Sequence, residues 1–181
     1  FGLTGRTCGA SSPRSLFTGL QRCMSTFTDP KAISSYAENA IRRVPGLGDV
    51  HRMSDLLLAE STPPNGRVLV VGAGGGMELK FFAQSHPGWQ FDGVDPSAEM
   101  LALAITALGP LASRVQLHQG YIEAAPSGPF DAACSLLTLH FTPEAERHRT
   151  LCEVHARMKP GGVFVATHYS VSQNQAEREL W

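Results

Sequence analysis

The sequence predicts an α/β fold in which helices cover both faces of a parallel sheet. Five short apolar runs alternate with helix-like segments between residues 67 and 166. The first run, Val68-Leu-Val-Val71, is aliphatic at every position, as suits a strand buried on both faces. It passes directly into Gly72-Ala-Gly-Gly-Gly76 and then into a helical pattern. So bare a turn lets backbone amides approach a ligand, and the helix that follows points its N-terminal amides at the same crevice.

Taken in order, residues 1–28 hold Arg6, Arg14 and Arg22 among many Ser and Thr, with no Asp or Glu before Asp29. That composition suits a disordered tail or an organellar transit segment, with Met24 as a candidate start. A folded domain is expected over 29–181, with two leading helices in 29–60, a core over 67–170 and a truncated C-terminus. Thr28-Asp-Pro30 resembles a helix start, followed by Ala32, Ile33, Tyr36, Ala37, Ala40 and Ile41 at helical spacing. Val44-Pro-Gly46 breaks that helix. A second runs from Leu47 through Val50, Met53, Leu56, Leu57 and Leu58 to the loop Ser61-Thr-Pro-Pro-Asn-Gly66.

After the glycine turn and its helix, Pro87-Gly88 introduces a second strand, Gln90-Phe-Asp-Gly-Val94, closed by Asp95-Pro-Ser97. The next helix carries Met100, Leu101, Ala104, Ile105 and Leu108 on one face and stops at Gly109-Pro110. Val115-Gln-Leu-His118 alternates as a third strand, with the polar turn Gln119 to Glu123 behind it. Phe130 to Leu137 is a fourth strand. Thr142-Pro143 is expected to cap a helix with Leu151, Val154 and Met158 on one face, and Lys159-Pro-Gly-Gly162 to end it before a fifth strand, Gly162 to Ala166. Right-handed crossovers would gather the carboxyl ends of these strands along one edge, where the ligand is expected.

Composition narrows the ligand class. Fifteen Lys and Arg oppose sixteen Asp and Glu, a net charge of -1, and no basic run marks a nucleic-acid footprint. The cysteines Cys8, Cys23, Cys134 and Cys152 form no CxxC pair, so neither a zinc site nor a disulfide framework is indicated. Two of them, Cys134 and Cys152, fall in predicted core elements and read as free thiols of a reducing compartment. No apolar run approaches the roughly 20 residues of a membrane span. A soluble cytoplasmic protein with a small-molecule ligand is expected, or a mitochondrial one if residues 1–23 are a transit segment.

Asp95, at the end of the second strand, lies 23 residues beyond Gly72. A glycine turn joined to such an acid suits a nucleoside, with backbone amides at the first and ribose hydroxyls on the second. The dinucleotide fingerprint places glycine at the first, third and sixth positions, whereas here the sixth is Met77. That spacing argues against a pyrophosphate and hence against a nucleotide-dependent oxidoreductase.

From Asp29 to Tyr169 the sequence resembles a class I S-adenosylmethionine-dependent methyltransferase. Val68 to Gly76 is similar to that family's first motif, Val94-Asp-Pro-Ser-Ala-Glu-Met100 to its ribose-binding segment, Phe130 to Phe141 to its fourth-strand motif, and Lys159 to Val165 to the start of its fifth strand. The resemblance implies a Rossmann-like sheet of order 3-2-1-4-5 and S-adenosyl-L-methionine as cofactor. It further implies that Gly72, Ala73, Gly74 and Gly76 form the turn against the methionyl and ribose portion, and that Asp95 takes the ribose hydroxyls. Pro96 and Met100 would flank the adenine, Tyr121 and Ile122 would border its amine, and Leu136 would close the site at the fourth strand.

Three departures stand against the pattern. Val70 and Tyr121 occupy positions where the family often carries acids, and Glu78 or Glu123 could compensate by position. Only 12 residues follow Tyr169, so strands six and seven are expected to be missing. Ile41-Arg-Arg-Val-Pro-Gly46 and Leu137-Thr-Leu-His-Phe141 also resemble the branch that includes the carboxy-S-adenosylmethionine synthase of transfer-RNA modification. In that branch a tyrosine follows the Val-Pro-Gly, whereas Leu47 stands here.

Methyl transfer from a sulfonium is an in-line displacement, for which the protein holds the nucleophile and excludes water. Only a protonated acceptor needs a base, and a histidine of pKa about 6.5 is the natural one. His140 and His168 stand where strands end, although a structural or solvated role is the commoner fate of such residues. Tyr36, Arg42, Arg43 and His51 could form a lid. Asp95 has a plainer reading as the cap of the helix after it, a task Ser97 could perform instead. The expected activity is methyl transfer to a small-molecule acceptor, with no metal, no membrane and no direct nucleic-acid contact, and with a homodimer left open. The alternatives are a non-catalytic binding module on the same fold and the synthase-like enzyme.

Overall fold

Strands β1 (Arg67–Val71), β2 (Gln90–Asp95), β3 (Val115–Gln119), β4 (Phe130–Leu136) and β5 (Met158–Thr167) form a parallel sheet in the order 3-2-1-4-5, as expected. The structure, a computed structural model, describes residues 36–169. The expected helix start at Thr28-Asp-Pro30, the N-terminal tail, Cys8 and Cys23 lie outside the described residues. The helices are α1 (Tyr36–Arg43), α2 (Leu47–Ala59), α3 (Met77–Ser85), α4 (Ala98–Leu108) and α5 (Glu144–Arg157).

Both faces of the sheet are covered. Val68 and Val70 of β1 point into a core with Leu58 of α2, Leu79 and Phe82 of α3 and Leu108 of α4. Leu69 and Val71 point the other way, into a second core with Ile122, Phe130 and Val154 of α5. The strand's period of two therefore serves two cores at once, which is why β1 shows no polar alternation. Among the described residues no helix is long and apolar enough to cross a membrane.

Two polar groups inside this frame bind several partners each. Asp92, buried in mid-sheet, accepts from Arg67 Nε at 2.7 Å and lies 2.8 Å from His118 Nε2. The Arg114 guanidinium closes the C-terminal end of α3, donating to the carbonyls of Ala83 at 2.5 Å, His86 at 3.1 Å and Trp89 at 3.0 Å. Carbonyls in the last turn of a helix have no amide partner within it, and the guanidinium supplies donors there.

Several local expectations are corrected. Thr142 does not cap α5: its hydroxyl donates to the Leu139 carbonyl at 2.8 Å, and the helix begins at Glu144 directly after Pro143. Of the face predicted for α5, Val154 is buried, Leu151 is exposed and Met158 already belongs to β5. Lys159-Pro-Gly-Gly162 is an irregularity inside β5 rather than a turn before it. Met158 pairs with Phe130, and pairing resumes at Val163 with Ala132. Cys134 is buried in β4, but Cys152 is exposed on α5. On α4, Ile105 is exposed while its predicted companions Met100, Leu101, Ala104 and Leu108 are buried.

Candidate functional site

The turn after β1 is tied to the end of β2 by its own backbone. The amides of Gly72 and Ala73 both donate to the Val94 carbonyl at 2.9 Å, which draws the turn over the next strand. Gly72, Gly74 and Gly76 all have positive φ, a region costly for residues with a Cβ. At Gly72 space is decisive as well: an added Cβ would lie 2.2 Å from the Thr138 hydroxyl oxygen, which comes from the end of β4. Strands β1, β2 and β4 thus meet at this turn, beside a cavity of about 420 Å³ on the carboxyl edge of the sheet.

Asp95 completes the link. One carboxylate oxygen accepts from the Gly74 amide at 3.0 Å, the other from the Ser97 amide at 2.9 Å. Burial pushes its pKa up, and these two amides partly oppose the shift. The cap of α4 is Ser97, whose hydroxyl oxygen accepts from the Met100 amide at 3.1 Å. Asp95 is therefore not the cap. Ser97→Ala should lower stability by about 1 kcal/mol in chemical denaturation, the usual worth of such a cap.

Eight of the ten residues expected at the site line the cavity. They are Gly72, Gly74, Asp95, Pro96, Met100, Tyr121, Ile122 and Leu136. Ala73 and Gly76 stand behind it. Ala73 is fully buried against Gly93, and Gly76 lies against Ala104, where α3 and α4 approach too closely to admit a Cβ.

The expected lid divides. Tyr36 and His51 line the cavity, whereas Arg42 and Arg43 are exposed and do not. The Tyr36 ring lies over the glycine turn, so that a Cβ on Gly75 would come within 2.8 Å of it. Burial raises the pKa of the Tyr36 phenol, and Glu78 and Asp95 raise it further. Leu47, where a tyrosine would match the synthase branch, is buried and also lines the cavity.

Neither His140 nor His168 lines the cavity. The His140 ring packs 4.1 Å from that of Phe141 and 4.9 Å from that of Tyr169, and burial followed by the nearby His168 holds its pKa down. His168 is exposed, with Nδ1 3.1 Å from the Tyr169 carbonyl oxygen. The histidine that does reach the cavity is His51 of α2, which burial biases towards the neutral form.

Of the two acids considered as substitutes, only Glu78 reaches the site. Glu123 is exposed and pairs with Arg149 at 3.3 Å. Glu78 stands in the first turn of α3, is 8% exposed and lines the cavity. Burial raises its carboxyl pKa to about 8, opposed by its own backbone amide and reinforced by Asp95. Leu137 is a site residue that no sequence pattern announces. It carries a left-handed φ of 54°, uncommon for a residue other than glycine, and borders the cavity just past β4.

The electrostatic character follows from this inventory. Asp95, Glu78 and Glu99 line the cavity, and among the described residues no Lys or Arg does. A phosphate would find glycine amides but no cation, whereas a cationic ligand would find carboxylates.

A profile of the methyltransferase-domain family matches residues 68–162, just over half of the 181 residues. The chain is 26% identical over 164 residues to carboxy-S-adenosyl-L-methionine synthase of Chromohalobacter salexigens, covering 88% of this chain and 61% of that protein. It is 28% identical over 109 residues to the ubiquinone/menaquinone biosynthesis C-methyltransferase UbiE of Syntrophotalea carbinolica, covering 60% and 46%. Among solved structures it is similar to S-adenosylmethionine-bound CalS10, an amino pentose methyltransferase from Micromonospora echinaspora, with a TM-score of 0.64 and 29% identity over 77% of this chain and 58% of that one. The chain thus spans less than two thirds of the length of each of these three proteins.

Proposed function

The chain belongs to the methyltransferase-domain family, and from that membership we propose that it binds S-adenosylmethionine at the carboxyl edge of its sheet and transfers the methyl group to a small-molecule acceptor. The observation that carries this reading is the charge of the cavity: carboxylates beside a glycine turn, with no Lys or Arg among the described lining residues. A sulfonium nucleoside suits such a wall better than a pyrophosphate does.

In this reading Asp95 accepts from the ribose hydroxyls. Each ionised carboxylate oxygen has capacity beyond the one amide it already takes from Gly74 or Ser97. Gly72 and Gly74 present backbone to the ribose and methionyl portion, while Ala73 and Gly76 support the turn from behind. Pro96, Met100, Tyr121 and Ile122 enclose the adenine, and Leu136 closes the wall at β4. When bound, S-adenosylmethionine would supply a methyl group already activated on sulfur. The work left to the protein is to orient the acceptor and exclude water, so no covalent residue is required. His51, buried and biased towards neutrality, is the candidate base for a protonated acceptor.

Similarity to the synthase gives the alternative some support, but a carboxylated substrate calls for a cation, and none lines the described cavity. Titration calorimetry with S-adenosylmethionine and, separately, NAD⁺ tests the main reading. Micromolar binding of the first alone is expected, and no binding of it, or equal binding of both, would overturn it. Formation of S-adenosylhomocysteine with a panel of small acceptors would reject the non-catalytic alternative.

A further inference from the structure

We infer that Glu78 is the acid that receives the donor's positive charge, and that donor binding therefore expels a proton from the site. The inference rests on the function proposed above and extends it to a residue and a linkage. Its geometric basis is a carboxyl group 8% exposed, delivered by the first turn of α3 to the cavity wall. Among the described residues no Lys, Arg or His forms an ion pair with it.

The groups around it add no positive charge. From α1 comes the Tyr36 phenol, from β2 the Asp95 carboxylate and from β4 the Cys134 thiol, each coupled to Glu78 or sharing its surroundings. His51 of α2, Glu99 of α4 and Tyr121 after β3 complete the titratable lining of the same cavity among the described residues. A buried carboxyl without a cation beside it favours its neutral form, and burial pushes the Glu78 pKa up to about 8. A sulfonium or ammonium brought alongside would favour the carboxylate. The proton then leaves to solvent, and the site exchanges a proton for the ligand's charge.

Val70 makes the arrangement intelligible. The end of β1 carries no acid, and Val70 is fully buried in the core beneath the turn. The negative charge comes instead from α3, two residues beyond Gly76, still inside the crevice.

The sign of the pH dependence follows. Below about pH 8 Glu78 is mostly protonated in the empty site, so affinity should rise with pH by up to tenfold per unit. Between pH 6 and 7.5 the predicted gain is about 20-fold, and Glu78→Gln should abolish most of it.

The test is calorimetry at pH 7 in buffers of different ionisation enthalpy, on wild type and Glu78→Gln, with three ligands. S-adenosylmethionine carries sulfonium and ammonium, S-adenosylhomocysteine only ammonium, and methylthioadenosine neither. Glu78→Gln should bind S-adenosylmethionine about tenfold more weakly at pH 7.5 and release close to one proton fewer, with methylthioadenosine affinity held within about twofold. A parallel loss for S-adenosylhomocysteine identifies the ammonium as the partner, and its absence identifies the sulfonium. Equal proton release by both proteins, or an equal loss for methylthioadenosine, overturns the inference. If wild type binds methylthioadenosine and S-adenosylmethionine without proton release, the inference alone fails. If wild type binds neither, the proposed function fails with it.

Discussion

Asp95→Ala is expected to weaken S-adenosylmethionine binding by at least about 100-fold, because hydrogen bonds to charged groups are worth roughly 1.5 to 3 kcal/mol each and two ribose hydroxyls would lose their acceptor. The substitution also removes the acceptor of the Gly74 amide, so the turn loses one of its ties to β2. Folding should be little affected by loss of capping, since Ser97 holds the cap of α4. Asp95→Asn, which keeps an oxygen but not the charge, should show a smaller loss. The contrast with Glu78 separates the two acids: methylthioadenosine keeps the ribose and lacks the cationic tail, so its affinity should collapse in Asp95→Ala while surviving Glu78→Gln. Calorimetry with methylthioadenosine on the two variants and wild type reads the contrast. Undiminished binding by folded Asp95→Ala would remove the ribose role and leave Asp95 as a tie between two backbone segments.

The sheet was legible because its signals are local and redundant. Strand β1 is apolar from Val68 to Val71, β2 ends on an acid, and the helix between them is bounded by Gly76 and Pro87. Where one signal had two outlets, the sequence did not decide between them. Asp95 and Ser97 could each have capped α4, and only the backbone path shows that Ser97 Oγ meets the Met100 amide while Asp95 turns to Gly74. Thr142-Pro143 has the composition of a helix start, yet the threonine hydroxyl prefers the carbonyl of Leu139 in the turn before it. Lys159-Pro-Gly-Gly162 reads as punctuation, but β5 begins earlier and absorbs it.

Cavity-lining positions were legible both at the glycine turn and further away, at Tyr121, Ile122 and Leu136. Which histidine faces the cavity was not, because that depends on which face of a remote element turns inward. His140 and His168 follow strands that end near the cavity, but the His140 ring turns to Tyr169, and His51 reaches the cavity from a leading helix. Glu78 was visible only as an acid two places beyond a glycine. Its burial follows from the tertiary packing around the first turn of α3, which no local pattern encodes.

That burial gives Glu78→Gln a second expected consequence, in the ligand-free protein. For most acids the folded-state pKa is depressed and ionisation stabilises the fold. Here it is raised, from 4.5 to about 8, so the sign reverses. The unfolded chain gives up the proton near 4.5 and the folded chain holds it until about 8, so Glu78 subtracts stability increasingly across that interval. At about 1.4 kcal/mol per pKa unit, the loss above pH 8 is of the order of a few kcal/mol. Glu78→Gln should therefore match wild type near pH 4.5 and exceed it by a growing margin towards pH 8.5. Urea denaturation of both proteins at several pH values measures that margin, and contributions from other titrating groups largely cancel in the difference. A margin independent of pH would mean that the carboxyl is solvated in the folded state, and the proton exchange inferred for donor binding would lose its source. A rising margin, together with weaker donor binding in the variant, would mean that Glu78 costs the empty fold stability and repays it only when a cation arrives. A residue of that kind is better explained by ligand recognition than by folding.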